Sequence, residues 1–425
     1  MLKTIERLVV ILAIVHYSTD WLALIVSGGA SEGDGRFVDY ARLNLSLNVF
    51  INLFTYFWAT CFLIFRWKKT LFYLTKSQFI YPVVLIAFAS ILWSFAPEIT
   101  LNSSVNLLGI SLFGIYVGTN YSLREQVKLF GISYFIILAS SLFFIIALPH
   151  YGIMGGLHTG AWRGITTHKN TLGRLLAFGI PLLLIWADMN LSKKWLIYTL
   201  LAVTALSLIM NRSTGAALTA IVLLASYPIY KIFRLNYVNM LFGLVGLTAS
   251  ISLLYIVYLQ NAEDLLRFVG KDPTLTGRTD IWAAVWRMIQ QKPWLGYGLD
   301  AVWRSGASGP AGYVMGITEW DVPYSHNAWL DLLLSLGFMG LLVYLIGFTL
   351  NLFRSVHLIH ETSSSEVFLP LLVLTFILIA TMADGNLIGG YVWLLYTATF
   401  TGVSKFYVQA KNDNQNLNVT HPVSG

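Results

Sequence analysis

Apolar residues run unbroken for 17 to 24 positions again and again along this chain, separated by short polar breaks. The runs are continuous and do not alternate with period two, which excludes the strands of a membrane barrel. Helices are the remaining way to satisfy every backbone group in lipid, and roughly 20 apolar residues suffice for one crossing. The pattern predicts twelve spans, near 5–28, 43–65, 78–95, 101–120, 129–148, 171–187, 195–211, 214–230, 236–259, 326–353, 367–383 and 390–404. Met1 to Arg7 is a short basic leader before VVILAIV, but no small-residue cleavage site follows, so it reads as an uncleaved first span.

Composition narrows the class. Of 425 residues 56% are apolar, 15% aromatic and only 11% charged, with a mean hydropathy of +0.68. Soluble domains carry about 25% charged residues, so this is an all-α polytopic membrane protein with no room for a large soluble domain. The single cysteine, Cys61, excludes an internal disulfide framework. No nucleic-acid partner is expected; the lipid bilayer is.

With the N terminus inside, the cytoplasmic breaks are 66–76, 122–128, the Lys193-Lys194 turn, 231–234, the loop from Arg354 and the C-terminal tail. Each carries Lys or Arg, as the positive-inside rule requires. Ten Lys and five Arg then fall inside, against three Lys and nine Arg outside. Lys serves as a topological anchor, whereas Arg captures phosphate bidentately, so the outer face looks built to hold an anionic group. The expected organisation is 1–259, nine spans; 260–325, one long outer loop with short interfacial helices; 326–404, three spans; and 405–425, a disordered cytoplasmic tail. Loops of that length in compact proteins are usually functional.

Four outer segments hold polar chemistry. In the long loop, Asp280 can cap a helix running to about Gln291, stopped by Lys292-Pro293. Ile281, Trp282, Val285, Trp286 and Ile289 share a face, predicting a helix that lies in the membrane interface. Arg278 stands at its N terminus, where the guanidinium and unpaired N–H groups converge on one place; it either pairs with Asp280 or lipid, or binds a phosphate. His326 heads the tenth span, with Asn327 and Asp331 four apart behind it. An ionisable group at that depth is a functional candidate, and a neutral His is either a general base or a helix cap. Arg212, in the small-residue turn NRSTGAAL, either snorkels or is drawn inward by close helix packing. Arg163, His168, Lys169 and Arg174 gather before the sixth span. The histidines at 150, 158 and 168 lack metal-ligand spacing, so neither metal nor cofactor is expected. His16 and Asp20, four apart, read as a structural pair, and GYG at 296–298 as a flexible turn.

WSFAPEITL, THKNTLG, NRSTGAAL, LTGRTDIW with KPWLGYGL, and SHNAWLDLLLSLGFMGLL occur in this order over about residues 80–350. Together they resemble the O-antigen ligase and Wzy-type repeat-unit polymerase superfamily, and LTGRTDIW resembles its ExoQ-like exopolysaccharide polymerases. The resemblance implies a GT-C-like bacterial inner-membrane glycosyltransferase with cytoplasmic termini. Its donor is an undecaprenyl-pyrophosphate-linked glycan, transferred to an acceptor sugar hydroxyl on the periplasmic side without metal, by inversion. It maps the catalytic roles onto Arg212, Arg278 and His326. Asn327 and Asp331 would orient the histidine, and Arg163, His168 and Lys169 would hold glycan or phosphate. The turn here reads Asn211-Arg212-Ser213, where the family more often has Ser before the Arg. Polymerisation is the first expectation and ligation to lipid A core or protein the second. A flippase and a chain-length regulator are candidate partners. A lipid-linked oligosaccharide transporter is the rival class; it would place its groups near the midplane in two matching halves, and this chain shows neither.

Overall fold

The structure is a computed structural model that describes residues 2–31, 46–75, 79–189, 194–234, 238, 278–319, 321–383 and 386–404. It is all helical, and among the described residues eight helices are long and apolar enough to cross a membrane. The described helices are numbered here as α1 Leu2–Ser18, α2 Trp21–Val26, α3 Ser46–Phe65, α4 Trp67–Leu74, α5 Ile80–Ala89, α6 Pro97–Asn120, α7 Leu123–Ala147 and α8 Lys169–Met189. They continue with α9 Lys194–Asn211, α10 Thr214–Ile232, α11 Arg278–Gln291, α12 Ala311–Thr318, α13 Ala328–Glu361, α14 Phe368–Ala383 and α15, residues 390–404. Of the expected spans, 236–259 lies outside the described residues except for Val238, as do the tail from 405 and residues 260–277 and 320 of the long loop.

Helix α8 is central, packing on α7, α9, α10 and α14. Two-thirds of its span is buried, against 17% of α3, whose Phe50, Phe57, Ile64 and Phe65 face outward as lipid-exposed residues do. α6 and α15 approach closely through the GIYVG stretch: a Cβ on Gly114 or Gly118 would fall 1.8 Å from Thr397 Oγ1 or 2.4 Å from the Ala398 carbonyl oxygen. That is the small-xxx-small contact by which helices associate in lipid.

The first span departs from expectation. It breaks at Thr19–Asp20 into α1 and α2. The hydroxyls of Ser18 and Thr19 donate back to the carbonyls of Ile14 and Val15, at 2.6 and 2.8 Å, and compete with continuation of the helix. His16 and Asp20 therefore do not pair. His16 Nε2 meets Asn52 Oδ1 at 3.2 Å, while Asp20 accepts from Thr167 Oγ1 at 3.0 Å.

The long loop departs further. α11 turns its apolar face to protein. Ile281, Ala284, Val285, Met288 and Ile289 are buried against Val302, Val314, Val322, Leu333 and Leu334, a small core of the loop's own closed by α13. Trp286 is left exposed, and Asp280 lies inside the first turn instead of capping it. The GYG turn is rigid: the N–H groups of Tyr297 and Gly298 donate to the carbonyls of Leu334 and Ser335, both at 2.9 Å. In return Phe338 N and Met339 N donate to the carbonyls of Pro293 and Trp294, at 2.8 and 3.2 Å. α13 is broken at Gly337 to admit this exchange.

The two ends of the bundle differ. At one end Arg66 bridges Glu6 and Asn120, Arg7 meets Glu125, and Arg234 donates to the Ser364 carbonyl. All the outer segments singled out above, so far as they are described, meet at the other end.

Candidate functional site

A cavity of about 790 Å³ opens at that second end. Its walls come from the α1–α2 break, the loop leading into α8, residues 299–304, the turn before α13 and residues 386–392. His326 and Asp331 line one side, His168 and Arg174 another, and Asp20 completes the first break.

The His326 turn is built locally. Asn327 caps α13, its Oδ1 accepting from Trp329 N at 3.1 Å and Leu330 N at 3.4 Å. Ser325 Oγ accepts from Asn327 N and donates to the Asn327 carbonyl, at 3.1 and 2.8 Å. His326 between them has φ 54, a left-handed conformation uncommon for a residue with a side chain. Its ring lies 4.4 Å from that of Tyr324. Asp331 Oδ1 accepts from Trp303 Nε1 at 2.8 Å and Ser325 N at 3.3 Å. Asn327 therefore faces back into the cap, and Asp331 braces the turn that carries His326.

Arg278 stands in the first turn of α11, half-buried. One turn on, Trp282 Nε1 donates to the Ser325 carbonyl at 2.9 Å, which ties this end of α11 to the His326 turn. Arg212 is exposed, also in a left-handed conformation, φ 54, between α9 and α10. Its Nη1 is 3.4 Å from the Thr159 carbonyl, and its own carbonyl accepts from Lys169 Nζ at 3.4 Å. Neither Arg212, Arg278 nor Lys169 lines the cavity. Lys169 follows His168, which does, so Arg212 and Lys169 stand beside that edge. The departure at Asn211 has a local explanation. Its Nδ2 donates to the carbonyls of Trp162 and Lys169, both at 2.7 Å, and fastens the Arg212 turn to the loop before α8.

Arg163 is placed differently from the expectation that it holds glycan or phosphate. It is fully buried. Its guanidinium donates to the carbonyls of Tyr151, Ala30, Gly29 and His150 and to Ser31 Oγ, at 2.6 to 3.2 Å. A guanidinium is acceptor-free and its five donors are spent on these partners, so Arg163 fastens two loops together. Removing it strands several buried carbonyls, each worth about 1–3 kcal/mol. Arg163→Ala and Arg163→Lys should both lower the melting temperature and yield of detergent-solubilised protein, since Lys lacks the planar fork; a wild-type melt for Arg163→Lys would show that the fork is not needed.

Reading the sequence alone set Asp20 aside as structural and passed over Asp300, Trp303 and Tyr324, all of which line the cavity. Asp20 had a signal, an ionisable side chain within an apolar run. The others become visible only when residues 299–304 fold back beside α13.

Such an arrangement defines a class: a polytopic all-α membrane protein with a polar chamber opening at one end of its bundle. Residues 199–345 match the family model described as O-antigen ligase, a stretch that holds Arg212, Arg278, His326, Asn327 and Asp331. Over 351 residues the chain is 25% identical to the exopolysaccharide production protein ExoQ of Rhizobium meliloti (strain 1021), a match covering 76% of each chain. On both counts the chain is similar to proteins of that description.

Proposed function

We propose that the protein is an inverting, metal-independent membrane glycosyltransferase that polymerises polysaccharide repeat units. It takes a glycan from undecaprenyl pyrophosphate and joins it to an acceptor sugar hydroxyl at the periplasmic face of the bacterial inner membrane, both termini being cytoplasmic. The observation that carries the reading is the placement of His326. It opens onto the chamber from a left-handed turn that Asn327, Ser325 and Asp331 hold in shape. Backbone held in a sparsely populated region concentrates at functional sites, and Arg212 shares the same conformation.

In this reading His326 accepts the proton of the attacking hydroxyl. The new bond forms from that oxygen to the anomeric carbon while the bond to phosphate breaks, and the diphosphate departs with the electron pair. Arg212 and Arg278 stabilise the charge that grows on it, with Lys169 beside Arg212. Fixed cations in that role are commonly worth several kcal/mol. Arg212→Ala and Arg278→Ala should therefore each lower polymer formation by about 10²-fold or more, measured on cells whose membranes carry wild-type amounts of the protein. Wild-type chain length in both would end the clamp.

The family description as O-antigen ligase favours a second reading, transfer of finished glycan to lipid A core or protein. Deleting the protein and examining the lipid-linked pool separates the two: a ladder collapsed to single repeats supports polymerisation, whereas intact ladders left unattached support ligation.

A further inference from the structure

The chamber is not lined as a diphosphate site. Four carboxylates face it, Asp20, Asp300, Asp321 and Asp331, against the two guanidiniums of Arg174 and Arg304. One of those is engaged already, Arg304 Nε lying 3.6 Å from Asp300 Oδ2. Four carboxyl groups to two guanidiniums is a poor lining for a diphosphate, which calls for an excess of cationic donors. For a sugar it is a good one. Carboxyl oxygens are hydrogen-bond acceptors, suited to the paired hydroxyl donors of a pyranose. The rings of Tyr17, Trp303, Tyr324 and Tyr391 add flat apolar faces to the same walls.

Two of the carboxyl groups are fixed at the wall by protein donors. Asp331 lines the chamber while its Oδ1 accepts from Trp303 Nε1 and Ser325 N. Asp20 precedes α2 with φ −100 and ψ 34 but makes no capping bond to it. Its Oδ2 accepts from Thr167 Oγ1, which holds the carboxyl at the chamber wall. Cations without a place in the lining stand at the edge: Lys169 and Arg212 beside His168.

Resting on the transferase reading above, we propose that the chamber is the acceptor-sugar subsite. Asp20 and Asp331 accept hydrogen bonds from the sugar's hydroxyls there, and the donor diphosphate lies at the edge beside Arg212 and Lys169.

The test uses the purified full-length protein in detergent and reads binding by quenching of tryptophan fluorescence. Two probes are titrated separately: the dephosphorylated oligosaccharide freed by mild acid from the host's lipid-linked pool, and inorganic pyrophosphate. Asp20→Asn and Asp331→Asn keep an acceptor oxygen for Thr167, Trp303 and Ser325, so each variant should melt as the wild type does. Each should weaken the oligosaccharide at least tenfold and leave pyrophosphate within twofold. Variants that bind pyrophosphate more tightly, with the oligosaccharide unchanged, would place the diphosphate against the carboxylates and overturn the proposal. So would unchanged affinity for both probes, or no oligosaccharide binding by the wild type. If Asp331→Asn melts early, Asp20→Asn alone decides, because it lies outside the His326 turn. Binding is read without turnover. A wild-type protein that binds the sugar but joins no glycans would sink the transferase reading and leave the sugar subsite standing.

Discussion

His326→Asn should reach the membrane in wild-type amounts, melt normally and make no long polymer, with the rate down by about 10²–10⁴-fold, the usual contribution of a positioned general base. Asparagine is the informative replacement. His326 has φ 54, and Asn is one of the few residues with a side chain that enters that region readily. Alanine would add backbone strain of about 1–3 kcal/mol and blur a lost proton acceptor with a distorted turn. The turn's backbone is held by other groups: Ser325 Oγ bonds the backbone of Asn327, and Asp331 accepts from Ser325 N. His326→Asn and His326→Ala should thus agree in losing polymer and differ in melting temperature, Ala being lower. Tagged protein in membrane fractions, with polymer length on gels, checks both. Normal polymer from His326→Asn would remove the histidine from the chemistry and leave it as an aromatic partner of Tyr324.

The spans were legible because a run of apolar residues has one use at this length. Thr214–Ile232 was expected at 214–230, and Ser213 supplies the cap that starts it. What a run cannot report is a break made by its own hydroxyls, as at Ser18 and Thr19, or the partner that its polar members find. Amphipathicity showed that one face of α11 is buried, but not whether lipid or protein covers it. The covering comes from residues far along the chain, Val322, Leu333 and Leu334. Arg163 shows the same gap among charges. Its basic neighbours resemble an anion site in sequence, yet carbonyls from residues 29–30 and 150–151 converge on the guanidinium and consume it. Residue type named the candidates at His326, Arg212 and Arg278; long-range backbone contacts decide which of the other candidates face the chamber.

Gly337→Ala should abolish accumulation of folded protein where Gly316→Ala is tolerated. Inside α13 the N–H groups of Phe338 and Met339 would ordinarily bond the carbonyls of Leu334 and Ser335 four residues back. Those two bonds are opened, and residues 293–298 enter to satisfy all four groups. At membrane depth unsatisfied backbone is not tolerated, so the break exists only because the inserted segment completes it. Gly337 makes room for that segment. Its φ of 64 and ψ of −168 lie in a region essentially restricted to glycine, which alone costs another residue about 1–3 kcal/mol. An added Cβ would also stand 2.3 Å from the Trp294 carbonyl oxygen and 2.5 Å from Leu295 N. Pushing the segment out strands four backbone groups at about 1–3 kcal/mol each, and with them goes the anchorage that keeps α11 and Arg278 beside His326. Gly316, in α12, has nothing within 4 Å of a new Cβ, so alanine there should be neutral or gain up to about 1 kcal/mol of helix propensity. Fluorescence-detected size-exclusion chromatography of solubilised membranes measures both. A monodisperse Gly337→Ala peak with wild-type melting would show that the exchange of hydrogen bonds is not what closes the break.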